Sequence, residues 1–274
     1  MLKRKYIIFI FSAIIIAILA GNLFLRQKYV VPILMYHSVN PAATQNARLV
    51  VPPEIFDRQM GFLKKHRYNV IALEKLVELI KGKKKIPPKT LCITFDDGYK
   101  DNYLYALPIL KKYNLPATVF IIFSEVGRPQ NDRLSWEEIR QMRDSGVIYF
   151  GSHTLGPEPL VNMQSDAQIW HEITDSKKAL EDKIGKKVLV FSYPEGLFNA
   201  KIRQMVIDAG YEGAVATNPG RSFSNEDIFA LKRLRISRNA GNMFVFYVET
   251  SGYYTFFKES KKLRHEKKQA SGKN

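Results

Sequence analysis

The chain is poor in cysteine and in acidic residues. Its one cysteine among 274 residues, Cys92, cannot form an intrachain disulfide. Cys92 lies inside an apolar run, where a small buried hydrophobe is its natural role, and it fixes no compartment. Asp and Glu number 26 against 42 Lys and Arg, a formal net charge of +16. Such an excess suits an anionic neighbour: membrane headgroups, an acidic polymer or nucleic acid. A solvated basic surface carries the same charge. Neither a zinc-finger spacing nor an RNA-binding aromatic signature is present, which weighs against nucleic acid. No repeat recurs at a fixed period, which argues against a repeat architecture.

Long apolar runs are confined to the N-terminus. "MLKRKYIIFIFSAIIIAILAGNLFLRQK" opens with Lys3, Arg4 and Lys5, then stays mostly apolar and uncharged from Tyr6 to Leu25. Roughly twenty such residues can span a bilayer as a helix. The basic cluster ahead of them predicts a cytoplasmic N-terminus and an exported remainder. A cleaved signal peptide is the rival reading. The run exceeds a usual signal core, and a cut after Ala20 would put bulky Ile18 where a small residue is wanted, so an uncleaved anchor is favoured. Residues 1–28 are therefore expected to be a basic stub and transmembrane signal-anchor, and 29–257 the main domain. Residues 258–274, Lys-rich and nearly without apolar residues, are expected to be a disordered tail.

Within 29–257, short apolar runs alternate with amphipathic segments. Strands are expected over 30–36, 69–73, 90–95, 117–123, 147–152, 188–193, 213–217 and about 231–236. Several runs are nearly unbroken, as in strands covered on both faces. Phe56, Met60 and Leu63 share one helix face, as do Leu73, Leu76, Val77 and Ile80, and Ile169, Ile173, Leu180 and Ile184. Ser165 or Asp166 can cap the last of these. About eight alternations predict an α/β barrel. Chemistry in such barrels gathers at the C-terminal ends of the strands.

That rim is where three chemistry-bearing stretches fall. In "CITFDDGYKDNY" (92–103), Asp96 and Asp97 stand side by side at a strand end. Two carboxylates in a dry site need a cation between or beside them. With a divalent metal the roles can divide, one Asp ligating and the other accepting a proton from water. A plain turn also selects Asp and Gly, so the triplet alone decides nothing. In "YFGSHTLGPEPL" (149–160), His153 follows a strand and can ligate zinc, although a lone histidine is more often structural. In "VFSYPEGLFN" (190–199), a turn at Pro194–Gly196 can aim backbone N–H groups into a site or be only a turn.

Order and context are more specific than any single piece. "LMYHSV" (34–39), "TFDDGYKDNY" (94–103), "ALPILKKYNLPATVFI" (106–121), "SHT" (152–154) and "SYPEG" (192–196) together resemble the NodB-type polysaccharide deacetylases, carbohydrate esterase family 4. The resemblance runs from about Val31 to at least Ile236. It implies a distorted, incomplete (β/α) barrel, here behind one N-terminal transmembrane helix, and metal-dependent removal of acetyl groups from amino sugars. It implies Asp96 as general base, with Asp97 and His153 as metal ligands and Thr154 steadying the loop of His153. The backbone N–H of Glu195 would help hold the oxyanion, and Arg233 would orient the base. The metal would be zinc, with cobalt or manganese as alternatives.

The sequence also departs from the family. A second histidine is usual four residues after the first, but that place holds Pro157. Ser192 stands where an arginine is expected, and Glu195 where a tyrosine is usual. "NMFVFYVETSGYY" (242–254) lacks the late leucine–histidine pair that supplies the general acid in many members. Two residues can compensate. Glu158 is a candidate third metal ligand, and His37 a candidate ligand or general acid. With fewer histidines, weaker metal binding is expected. The reading is a membrane-anchored, extracytoplasmic deacetylase of an acetylated polysaccharide that binds no nucleic acid. Its alternative is a catalytically impaired, glycan-binding relic.

Overall fold

The computed structural model describes residues 14–16, 19–21, 29–42, 49–128, 132–217, 227–237, 241–256 and 258. Residues 14–16 and 19–21 are helical; the rest of the expected anchor, and all of the expected tail but residue 258, lie outside the described residues. Among the described residues no helix is long and apolar enough to cross a membrane.

The chain divides into two units. One comprises Met1–Val30 and Val248–Asn274. Within it the Val30 N–H donates to the Gly252 carbonyl at 2.9 Å, and the Tyr29 ring meets Tyr253 edge-on at 5.7 Å. The other, Val31–Tyr247, holds the barrel.

In chain order the strands are β1 (Ile33–Tyr36), β2 (Ser38–Val39), β3 (Val50–Val51), β4 (Asn69–Val70), β5 (Thr90–Phe95), β6 (Ala117–Ile121), β7 (Ile148–Ser152), β8 (Val190–Ser192), β9 (Gly213–Ala216), β10 (Leu231–Lys232) and β11 (Leu234–Arg235). The helices are α1 (Pro53–Lys65), α2 (Leu73–Lys81), α3 (Leu107–Tyr113), α4 (Trp136–Asp144), α5 (Asp166–Ile184), α6 (Ala200–Asp208) and α7 (Met243–Thr250). Every pairing in the main sheet is parallel, in the order β10-β9-β8-β7-β6-β5-β1-β11 with β4 added on β5. Parallel strands need crossovers, and the amphipathic helices supply them. The expected run at 231–236 is split: its first half pairs with β9 and its second with β1, with Arg233 between. One short segment thus joins both ends of the sheet into a nearly closed barrel.

Strand alternation sorts the side chains into two layers. Ile33, Cys92, Phe120, Val190, Val215 and Leu231 fill the interior and meet Leu73, Leu76 and Val77 of α2. Leu34, Tyr36, Ile93, Phe95, Val119, Phe150 and Phe191 face outward, under the helices. Cys92 is fully buried in the interior layer. Gly151 is required there: a Cβ at that position would lie 2.4 Å from the Phe120 ring and 2.9 Å from the Val190 carbonyl. Capping is equally legible. Ser165 closes a capping box with Gln168 at the start of α5, and left-handed Gly185 ends that helix.

Glu74, in the first turn of α2, takes a hydrogen bond from the Thr118 hydroxyl at 3.1 Å. Burial raises its carboxyl from 4.5 to about 7, against hydrogen bonds that lower it. A raised acid favours folding while protonated, so this contribution is full below pH 4.5 and lost as pH rises through about 7. Stability should fall by about 1–3 kcal/mol across that window. Glu74→Gln should flatten this dependence, which urea unfolding at pH 5 and pH 8 will read.

Candidate active site

The site is built where three strands end. Cys92 and Thr94 point inward, so Asp96 continues on the inward side. Alternation alone would send Asp97 the other way. Instead Asp97 and Gly98 adopt left-handed φ values of 69° and 65°, and the turn brings Asp97 onto the same cavity as Asp96. For a non-glycine residue this conformation costs energy, and such strain gathers at functional sites. On β7, Gly151 faces in, Ser152 faces out to Ser176 at 2.8 Å, and His153 faces in again. After β8, Glu195 takes φ 55° and carries the chain along the cavity wall.

The cavity has a volume of about 520 Å³ and brings together His37, Asp96, Asp97, His153, Glu195 and Arg233. Arg233 and Asp96 form a bidentate pair, Nη1 to Oδ1 at 2.6 Å and Nη2 to Oδ2 at 2.7 Å, both residues nearly solvent-free. Burial raises the Asp96 carboxyl, but the charge of Arg233 and its hydrogen bonds prevail and hold it at about 2. Arg233 Nη2 also donates to the Ser192 hydroxyl at 2.9 Å.

His153 is oriented from behind. Its Nδ1 lies 2.8 Å from the Ser192 carbonyl, a hydrogen bond in which Nδ1–H is the donor. That leaves the Nε2 lone pair facing Asp97 Oδ1, 3.6 Å away. A carbonyl-oriented imidazole beside a carboxylate is a donor pair suited to a divalent metal. Thr154, at φ 72°, donates to the Gly156 carbonyl at 2.6 Å and ties down the following loop.

The loop settles the two residues beside the missing histidine. Pro157 lines the cavity. Glu158 does not; it is exposed and accepts from Asn162 Nδ2 at 2.8 Å. The structure therefore does not bring Glu158 together with Asp97 and His153. Among the described residues, no three of His, Cys, Asp and Glu are grouped to hold a metal. Asp97 and His153 fit a metal as two donors, and among the described residues no third is grouped with them.

His37 does face the site. Burial lowers its pKa from 6.5, with Asp96 and Asp97 pulling upward and Arg233 and His153 downward. Its Nδ1 is buried without a hydrogen-bond partner. Thr94 and Arg133 carried no sequence signal at this site, and Ser192 stood out only as a departure from the family pattern. Ser192 links the Asp96–Arg233 pair to His153, its hydroxyl serving one and its carbonyl the other. Thr94 Oγ1 lies 3.5 Å from Arg233 Nη1. Arg133 lines the cavity from the segment after β6.

The comparisons with known proteins converge on one family. The polysaccharide deacetylase profile matches residues 83–214. The polysaccharide-deacetylase homologue YxkH of Bacillus subtilis is 34% identical over 220 residues, 80% of this chain and 76% of that one. The chain belongs to the polysaccharide deacetylases. It is similar also to the poly-β-1,6-N-acetyl-D-glucosamine N-deacetylase of Staphylococcus aureus, 30% identical over 68% of this chain and 67% of that one. Among solved structures, the Streptococcus pyogenes deacetylase PplD in complex with acetate superposes with a TM-score of 0.70 at 29% identity, over 77% of this chain and 93% of that one. The fold and the hydrolase class follow from these likenesses.

Two outcomes are expected. Arg233→Met leaves a buried, unpaired carboxylate and should cost about 3–5 kcal/mol. Adding Asp96→Asn should recover part of that loss, a coupling that a double-mutant cycle by chemical unfolding will measure. Pro157→His should tighten zinc binding, read by calorimetry on the apo protein, by on the order of 10-fold or more. No gain would mean that the loop cannot present a ligand there.

Proposed function

We propose that this deacetylase removes acetyl groups from an N-acetylated polysaccharide outside the cytoplasmic membrane, using a divalent metal held by Asp97 and His153. The observation that carries this is the convergence of Asp96, Asp97 and His153 on one cavity, with Asp96 locked to Arg233. Deacetylases of this family generally depend on a metal, and zinc is the first choice for a carboxylate–imidazole pair, with cobalt or manganese as alternatives. The metal would polarise the acetyl carbonyl.

The chain's own residues supply the rest. Asp96, kept ionised by Arg233, accepts the proton of the attacking water. Arg233 fixes both carboxylate oxygens, so the base is aimed before substrate arrives. Its low pKa gives certain charge rather than strong basicity. The backbone N–H of Glu195 faces the oxyanion. The proton that Asp96 takes from water passes by way of His37, which lines the same cavity, to the departing nitrogen. Water adds to the acetyl carbon, the C–N bond breaks, and acetate and a free amine remain.

The name of the staphylococcal relative supports an N-acetylglucosamine polymer as substrate. The basic, apolar segment 1–28 supports attachment to the membrane with the barrel outside. A second reading, a glycan-binding relic, is favoured by Pro157 on the cavity wall and by the lack of a three-donor group among the described residues.

Acetate release from N-acetylglucosamine oligomers with zinc, cobalt or manganese supplied decides between them. The expected result is turnover that Asp96→Asn lowers by about 10²–10⁴-fold. Glycan binding without turnover under any metal would establish the relic instead.

A further inference from the structure

Three arginines line the cavity, and Arg233 is committed to Asp96 and Ser192 through both Nη atoms, although its Nε has no partner among the described residues. Arg133 is held in place without being satisfied. Its segment is zipped to the Asp97 turn: Tyr99 and Arg133 form an isolated antiparallel bridge, Lys100 N–H donates to the Asp132 carbonyl at 2.9 Å, and Leu134 N–H to the Gly98 carbonyl at 2.9 Å. The guanidinium stacks 3.9 Å above the Tyr99 ring. Its Nε and Nη1 are buried without hydrogen-bond partners among the described residues. Glu125 stands 4.0 Å from Nε, beyond hydrogen-bonding reach, and its carboxylate is bound by Arg128 at 2.9 Å. Two arginines thus share one carboxylate, and positive charge is left over. Arg235, exposed, adds a second cation to the cavity lining.

We propose that Arg133, with Arg235, forms an anion subsite beside the reacting centre, so that the preferred substrate is an acetamido-sugar chain carrying carboxylate or phosphate groups. A planar guanidinium with unpaired N–H donors, stacked on an aromatic ring, suits a carboxylate or phosphate oxygen pair better than a neutral hydroxyl. The stacking and the backbone bridge fix it in advance, so little order is lost on binding. The net +16 charge draws such polymers in from a distance.

This inference rests on the deacetylase reading, and its test separates the two. Metal-loaded protein is given three oligomers of equal length: neutral β-linked N-acetylglucosamine, N-acetylglucosamine alternating with glucuronate, and N-acetylglucosamine bearing 6-phosphate. Acetate release and binding are both measured. The expected result is that at least one anionic oligomer has a KM about tenfold or more below the neutral one. Arg133→Gln should collapse that preference toward unity, and Arg133→Lys should keep part of it. The glucuronate and phosphate arms tell which oxyanion is read. Equal KM values for all three with wild-type protein would overturn the subsite without need of a variant. So would a preference unchanged in Arg133→Gln. Arg133-dependent anionic binding with no acetate released from any oligomer would keep the subsite and remove the enzyme reading.

Discussion

The site depends on one ion pair inside a barrel. Asp96 and Arg233 are both nearly solvent-free, so neither charge can stand there alone. Their bidentate geometry answers the cost of burial and aims the base in one stroke. Arg233 is also the residue at which the sheet changes partner, from β9 to β1. Its backbone N–H still donates to the Ala216 carbonyl of β9 at 3.0 Å, while its side chain reaches through the interior, past Phe120, whose ring lies 5.5 Å away, to Thr94, Asp96 and Ser192. Closure of the barrel and orientation of the base are therefore one structural event.

Ser192 carries that event to the second half of the site. Its hydroxyl accepts from Arg233 and its carbonyl accepts from His153. Ser192 stands where the family resemblance implies an arginine, and here it is Arg233 that holds the base. His153 is oriented by Ser192, which also steadies that pair. The metal side has no such reserve. Asp97 comes to the cavity only through its left-handed turn, and Pro157 contributes a wall rather than a ligand.

Much of this was legible in the sequence because parallel strands buried on both faces read as unbroken apolar runs. The run at 90–95 became β5 with the same bounds, since "TLCITF" is apolar or small throughout and ends at two carboxylates. The run at 231–236 read as one strand because hydropathy does not register a change of partner at Arg233. Asp96, Asp97, His153 and His37 were legible because each stands at or just after a strand end, and a barrel puts those ends on one rim. Glu158 shows the limit. It follows the missing ligand by one residue, yet the loop turns it outward to Asn162. Arg133 had no signal at all, because it lies between elements, where no periodicity reports direction.

The electrostatics of the cavity follow from these placements. Asp96 is paired with Arg233 through both carboxylate oxygens. Asp97 faces His153 and any metal bound between them. Glu195, exposed, brings a carboxylate to the cavity lining. The cations turned to the cavity beside the Asp96–Arg233 pair are Arg133, two of whose N–H groups lack acceptors among the described residues, and the exposed Arg235. A divalent ion at Asp97 would add positive charge to that balance rather than offset it. Arg133 buries two guanidinium N–H groups that have no acceptor among the described residues, and an oxyanion seated beside them would supply one. That unmet hydrogen-bonding demand is the physical basis of the proposed anion subsite.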